Sequence, residues 1–272
     1  MDVDKRLEAM FTTLLEVKWL MKERFRNGLS TLIKEAGAAN ELEAVQHVLK
    51  ELTYCGSDDL VLAGNEAAKQ IEYGWRLTPD DTLIVGVANG PKTCGSTAYL
   101  RCVETSLSRA WSTSNCVWTT IDAAFRKRQA HTNLVIVDDF VGTGEKLVDL
   151  LGRLHRNPKT ATYVVHVCTF ASMEAGWDAV SVTVGGRFIA FRVLQRCISD
   201  LLEEPKRSEF LSAMTTLEKS FFSKPGDYSL GYKKSEASFY LEGYNIPNNN
   251  FPVLWWDQYA DRTTRSTLFS RR

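Results

Sequence analysis

The stretch Leu134-Val135-Ile136-Val137-Asp138-Asp139-Phe140-Val141-Gly142-Thr143-Gly144-Glu145-Lys146-Leu147 constrains the fold of this chain more than any other segment. Four apolar residues read as a buried strand, two acids close it, a glycine-bearing turn follows, and the pattern then becomes helical. A strand that feeds a helix through so short a turn is a building block of a parallel sheet. At the carboxyl end of such a strand the backbone amides of Gly142, Thr143, Gly144 and Glu145 can converge on one anion, aided by roughly half a positive charge at the helix start. The adjacent carboxylates suit the vicinal hydroxyls of a sugar. Asp138 and Asp139 also repel one another, so folding stability alone gives little reason for the pair. The plain alternative is a turn whose acids only cap the helix.

The rest of the middle of the chain has the same texture. Short apolar runs at Leu83–Ala88, Cys116–Trp118, Leu134–Val137, Tyr163–Cys168 and Ala179–Val184 read as strands buried on both faces. Helical segments, Thr97–Ala110 and Glu145–His155, lie between them. Right-handed crossovers then predict a doubly wound parallel α/β domain.

Before this region the periodicity is helical. Met10, Phe11, Leu14, Val17, Met21 and Phe25 predict one long helix capped by Asp4 and limited by Gly28 or Gly37. Asn40 with Glu43 predicts a second, and Ser57 a third that runs to Thr78-Pro79. Beyond Ser199 a helical stretch breaks at Pro205 and resumes from Ser208 through Phe221. A loop-rich tail follows, holding ten of the chain's aromatic residues (13 Phe, 7 Trp, 9 Tyr in all), a density that predicts packing and not disorder. The expected division is an all-helical region over 1–80, an α/β core over 81–200, and a helix with an aromatic-rich hood over 201–272.

Composition narrows the function classes. Lys plus Arg and Asp plus Glu number 33 each, so no net field draws the chain of 272 residues to nucleic acid or an anionic membrane. Six cysteines without metal-ligand spacing read as buried thiols in a reducing compartment. The charged amino terminus leads into an amphipathic pattern, so the expectation is a soluble, cytoplasmic protein without signal peptide or membrane span.

The motif around Asp138–Lys146 resembles the phosphoribosyl pyrophosphate loop of the type I phosphoribosyltransferases: an apolar strand, two acids, two mostly apolar residues, then a small-Thr-Gly turn. A P-loop and a dinucleotide fingerprint both fail here, the first for want of Gly-Lys-Ser/Thr and the second because Leu147 stands where a third glycine belongs. The resemblance implies a type I phosphoribosyltransferase fold, Mg2+ as cofactor, and phosphoribosyl pyrophosphate or a related ribosyl phosphate as ligand. It implies that Val141, Gly142, Thr143, Gly144, Glu145 and Lys146 hold the 5-phosphate, and that Asp138 and Asp139 take the ribose hydroxyls and the metal. Asn89, Gly90 and Lys92 fall where the family places its pyrophosphate loop. Arg126, Lys127 and Arg128 fall where it carries a mobile loop that receives the leaving group, although a solvated charge run is the ordinary reading of such a triplet.

Departures from the family pattern narrow the implied chemistry. Gly142 stands where enzymes acting on oxopurines carry an acid that serves as general base, so a hypoxanthine or guanine acceptor is not implied. Glu145 stands where many members have a small residue, and its carboxylate would repel a phosphate unless turned away. The closing segment from Tyr244 to Trp256, with Leu268, Phe269 and Arg271, is similar to a subgroup of phosphoribosyltransferase-like proteins in bacterial conflict, phage-defence and retron-type systems. Three functions therefore stand: transfer or cleavage at ribosyl C1, as a defence effector; a silent ligand sensor or regulatory subunit engaging a protein or nucleoprotein through its helices; and a nucleotide glycosidase-like effector. Of the histidines, His166 reads as a core residue and His131 as a neighbour of the site.

Overall fold

The computed structural model describes residues 3–87, 94–126, 131–222 and 226–271. Ten α-helices and seven strands occur among them, in the order α1 (Val3–Glu16), α2 (Arg26–Glu35), α3 (Ala39–Lys50), β1 (Thr53–Cys55), α4 (Ser57–Lys69), β2 (Thr82–Gly86), α5 (Gly95–Ser106), α6 (Arg109–Ser112), β3 (Val117–Trp118), α7 (Ile121–Arg126), β4 (Asn133–Val141), α8 (Glu145–Arg156), β5 (Val164–Met173), α9 (Glu174–Val184), β6 (Phe188–Leu194), α10 (Lys206–Glu218) and β7 (Phe239–Leu241). No described helix is long and apolar enough to cross a membrane.

The chain divides into two compact units, 55–194 and the combination of 1–54 with 195–272. The boundaries expected near 80 and 200 therefore shift. Residues 55–80 go with the α/β unit because α4 packs along α5 there, and Gly64 lets the two backbones meet: a methyl at its Cα would lie 2.7 Å from the carbonyl of Cys102. The 201–272 segment shares its unit with the amino-terminal helices.

The α/β unit is the doubly wound fold that the apolar runs predict. Its five strands are all parallel in the order β3-β2-β4-β5-β6. Helices flank the sheet: Leu83 and Val85 of β2 and Leu134 and Ile136 of β4 pack with Leu147, Leu151 and Leu154 of α8 and with Ala124 of α7, while α5 lies against β2 and β4. One expected strand is a helix. Ala179–Val184 belongs to α9, where Val180 and Val184, one turn apart, are buried and Val182 is 89% exposed. A β-branched run with period 3.6 in burial has been set by tertiary packing over local propensity. The sheet's last strand is instead β6, whose Phe188-Ile189-Ala190-Phe191-Arg192 pairs with β5.

In the other unit α1 is shorter than its periodicity predicts. It ends at Glu16 and passes through two 3-10 turns, Lys18–Met21 and Glu23–Phe25, before α2. The turns keep Val17, Leu20 and Phe25 in the core, so apolar spacing survives although the helix does not. Capping is displaced too: Glu41, not Asn40 with Glu43, takes the amides of Gly37 and Ala38 ahead of α3 at 2.7 and 3.0 Å. Asp59 likewise takes the amide of Gly56 at 3.0 Å ahead of α4. Pro205 stands at the start of α10, with Ser199–Leu201 in turns. Phe251, Val253, Leu254, Trp255, Leu268 and Phe269 are buried with Leu29, Leu32, Val45 and Val48, as the aromatic density of the tail predicts. Cys55, Cys116, Cys168 and Cys197 are buried free thiols, whereas Cys94 and Cys102 are partly exposed, against the expectation for all six.

Candidate functional site

The order β3-β2-β4-β5-β6 reverses direction between β2 and β4, since the chain leaves β2 toward β3 on one side and returns to β4 on the other. Connections diverge at such a point and leave a crevice at the carboxyl ends of the strands. The register opens it further. The last pairing of β4 with β2 is Val137 with Gly86, while Asp138, Phe140 and Val141 run on beside Thr169, Ala171 and Ser172 of β5. Both acids of the motif therefore stand beyond the end of β2.

Asp138 is 4% exposed. Its Oδ1 accepts the amide of Asp139 at 3.0 Å, and Lys146 Nζ lies 4.0 Å from its Oδ2. Burial, then the charge of Asp139, push the Asp138 carboxyl well above the usual range against the opposing pull of Lys146. Burial also raises Asp139, against hydrogen bonds that include one with Asp138. Such a pair gains from any ligand that brings hydroxyl donors or positive charge.

Asp139 leans over the first turn of α5: a Cβ on Gly95 would sit 2.0 Å from Asp139 Oδ2 and displace that carboxylate. The residue before it, Cys94, places its Sγ 2.9 Å from Ser96 Oγ and 3.4 Å from Thr97 Oγ1. Burial works against the Cys94 thiolate, as does Asp139, but the hydrogen bonds of Ser96 and Thr97 outweigh both and hold the thiol below its usual range. The sequence offers Cys94 and Gly95 as the end of the Asn89–Gly95 segment that falls where the family places its pyrophosphate loop; the packing of Asp139 on Gly95 has no local signal.

The turn after β4 has the predicted form. Gly144 precedes α8 with φ of +80° and ψ of −15°, a conformation that favours glycine. A Cβ there would also meet the Ala179 methyl at 3.0 Å and the Gly176 carbonyl at 3.1 Å. Gly176, in the first turn of α9, in turn admits the Gly142 carbonyl, which would lie 2.3 Å from a Cβ at 176. The loop is thus clamped against α9, a contact for which the sequence gives no local signal. Among the described residues the amides of Thr143 and Gly144 meet no acceptor. Val141 is buried and Glu145 and Lys146 are exposed at the helix start.

Asn89, Gly90, Lys92, Lys127 and Arg128 lie outside the described residues, as does the side chain of Arg126 at the end of α7. His131 stands before Asn133, at the opposite end of β4, and the strand from Asn133 to Asp138 alone spans roughly 16 Å, so it is not a neighbour of the site. His166 is the core residue its position predicts. It lies 4.7 Å from the Trp75 ring, and burial, with the charge of Arg187, pushes it down to about 4.

Among the described residues no group of three or more His, Cys, Asp or Glu side chains is placed to hold a metal. Among the described residues the carboxylates at the crevice are the pair Asp138 and Asp139. That number suits Mg2+, which commonly takes one or two carboxylates and completes its octahedron with water and ligand phosphates.

A family profile described as PRTase-CE, a phosphoribosyltransferase-like family, matches residues 2–271, nearly the whole chain. No curated protein and no solved structure matches it.

Proposed function

The chain belongs to the PRTase-CE family, and from that premise we propose that its α/β unit binds phosphoribosyl pyrophosphate, or a related ribosyl phosphate, with Mg2+ and transfers or cleaves at ribosyl C1. The observation that carries this reading is the juxtaposition at the switch point of the amides of Thr143 and Gly144, which meet no acceptor among the described residues, with the charge-strained pair Asp138 and Asp139. The first suits a phosphate and the second the hydroxyls of the sugar that bears it, spaced along one strand-to-helix turn.

In this mechanism the amides of Gly142–Glu145 anchor the 5-phosphate at the start of α8. Asp138 and Asp139 accept the ribose hydroxyls, which relieves their mutual repulsion, and their charge offsets the positive charge that grows at C1 as the bond to pyrophosphate breaks. The leaving oxygen keeps the bonding pair. An acceptor, or water in the cleavage variant, supplies the new pair to C1. Mg2+, held by the two carboxylates, would neutralise the diphosphate. Lys92 and the Arg126–Arg128 run are assigned to the leaving group on the sequence resemblance alone, as is the setting of a phage-defence effector whose helical regions meet a protein or nucleoprotein partner. The glycosidase-like variant differs only in taking a nucleotide and releasing its base. Glu145 at the helix start and Gly142 in place of a general base favour a second reading, a sensor that binds the same ligand without chemistry.

Calorimetry with phosphoribosyl pyrophosphate and Mg2+ tests binding, and assays for free base and pyrophosphate over a nucleotide panel test chemistry. The double variant Asp138→Asn/Asp139→Asn is expected to keep or raise Tm and to bind more weakly. If the charge stabilises the transition state, turnover falls by several powers of ten, at ~1.4 kcal/mol for each. Parent-like binding and turnover in that variant, or its failure to fold, would return the acids to a capping role.

A further inference from the structure

A second concavity lies on the α8 face of the α/β unit, between α7 and α8. Its cleft, about 360 Å³, has an apolar wall made by Ile121 and Phe125 from α7 and by Leu150 and Leu154 from α8. Phe125 rests against the Tyr163 ring, 5.7 Å away and near-parallel, which fixes its plane within the wall. Asp122 and Asn157 add polar groups, and Lys146 and Arg153 stand at the cleft as cations. A neighbouring depression of about 330 Å³ is formed by Lys146, Asp149, Arg153 and Arg156. The two hollows adjoin at Lys146 and Arg153, which line both, so the apolar wall and the charged strip lie side by side.

Folding explains only part of the strip. Lys146, Asp149, Arg153 and Arg156 fall on one helix face at spacings of three, four and three. Asp149 is ideally spaced to pair with Arg153, yet among the described residues Arg153 and Arg156 form no ion pair. The helix dipole favours Arg153 and Arg156 near the carboxyl end, but it disfavours Lys146 in the first turn. Lys146 and Arg153 are seven residues apart, about 10 Å along the axis. Both side chains are long enough to converge on one phosphate chain laid between them. A bare diphosphate would leave the Phe125 and Leu150 wall uncovered, and a bare nucleoside would leave the cations unmatched.

We propose that the trough between α7 and α8 is a second ligand site, adjoining the Asp138–Glu145 turn at Lys146 and at Gly86 and Val87 of the β2 end, that takes a nucleoside di- or triphosphate with its base against Phe125 and Leu150 and its phosphates on Lys146 and Arg153. Lys146 belongs to both sites, since it also lies 4.0 Å from Asp138 Oδ2. A phosphate that draws Lys146 away leaves the acid pair without its neighbouring cation, so occupancy of the trough tunes the affinity of the acids for their own ligand, and the reverse holds by linkage.

The test uses the full chain, with ATP as the probe and adenosine and inorganic pyrophosphate as its two halves. ATP is expected to bind at least tenfold more tightly than either half. Arg153→Ala, an exposed change, is expected to leave Tm unaltered and weaken ATP by at least tenfold, about the loss of one charge-assisted hydrogen bond. Asp138→Asn/Asp139→Asn is expected not to weaken ATP, which separates this site from the turn even if phosphoribosyl pyrophosphate does not bind at all. Three results overturn the proposal: no ATP binding, ATP binding indifferent to Arg153 and lost with the aspartates, or pyrophosphate binding as tightly as ATP.

Discussion

Gly144 and Gly185 both have positive φ, at +80° and +61°, but their surroundings differ. Around Gly185 nothing lies within 4 Å of the place a Cβ would take, whereas at Gly144 the Ala179 methyl and the Gly176 carbonyl are already at 3.0 and 3.1 Å. Alanine at either position meets backbone strain of about 1–3 kcal/mol. Only Gly144→Ala also forces the turn off α9 and misdirects the amides of Thr143 and Gly144. Expected outcomes are a lower Tm for both variants and loss of ribosyl-phosphate affinity for Gly144→Ala alone, measured by thermal melts and calorimetry side by side. Equal loss of affinity in both would mean that global destabilisation, and not the shape of the turn, controls binding. At this scale the motif residues were legible because they are contiguous. Gly176 was not, nor was the packing of Asp139 on Gly95, since each contact joins residues far apart along the chain.

The strands β2, β4 and β5 were readable because burial on both faces leaves an uninterrupted apolar run. The edge of the sheet was not. Only Phe188 of Phe188–Leu194 is fully buried, and the run carries Arg192, which weakens its signal, while the valine-rich Ala179–Val184 imitates a strand. Helical residues flank it on a backbone that exposes Val182, so Val182→Ala should stabilise the protein by a few tenths of a kcal/mol through helix propensity. A strand at this position would lose stability on the same change, and a chemical denaturation midpoint decides between them. On α10, Glu218 is 1% exposed and accepts the amide of Leu230 at 3.0 Å and the hydroxyl of Ser229 at 3.0 Å. Burial pushes its carboxyl up to about 7 from 4.5, against those two bonds. The folded state thus holds the proton more tightly than the unfolded chain, and this contribution to stability, full below about 4.5, fades as pH rises through 7. The lost amount is on the order of 3 kcal/mol. Glu218→Gln should flatten that slope, giving a variant more stable than the parent at pH 8 and nearly equal to it at pH 4.5; parallel pH profiles for the two proteins would exclude Glu218 as the source.

At the scale of the whole molecule the chain closes one unit with its two ends, and a linear reading by periodicity does not see that, because no local pattern links residue 35 to residue 265. The link is a buried ion pair. Arg265, fully buried, reaches Glu35 through Nε at 2.8 Å and Nη2 at 2.6 Å, and donates to the carbonyls of Val253 at 2.9 Å and Trp256 at 3.0 Å. Its guanidinium lies 4.2 Å from the centre of the Phe221 ring, and Tyr259 Oη donates to Glu35 at 2.7 Å. One planar cation therefore ties α2 to the tail and to the residues after α10. Removing it leaves Glu35 with its charge largely buried and only the tyrosine as donor, and leaves two carbonyls unsatisfied. Arg265→Ala should cost about 3–5 kcal/mol, as breaking one side of a buried pair does. Arg265→Lys should recover only part of it, since an ammonium cannot match the bidentate fork or the ring. Hydrogen exchange should then show protection lost first in α2, α3 and the segment from Phe251 to Phe269, all of which meet in one core. An Arg265→Ala protein within about 1 kcal/mol of the parent would show that apolar burial of Trp255, Phe269 and their neighbours holds the tail without the pair.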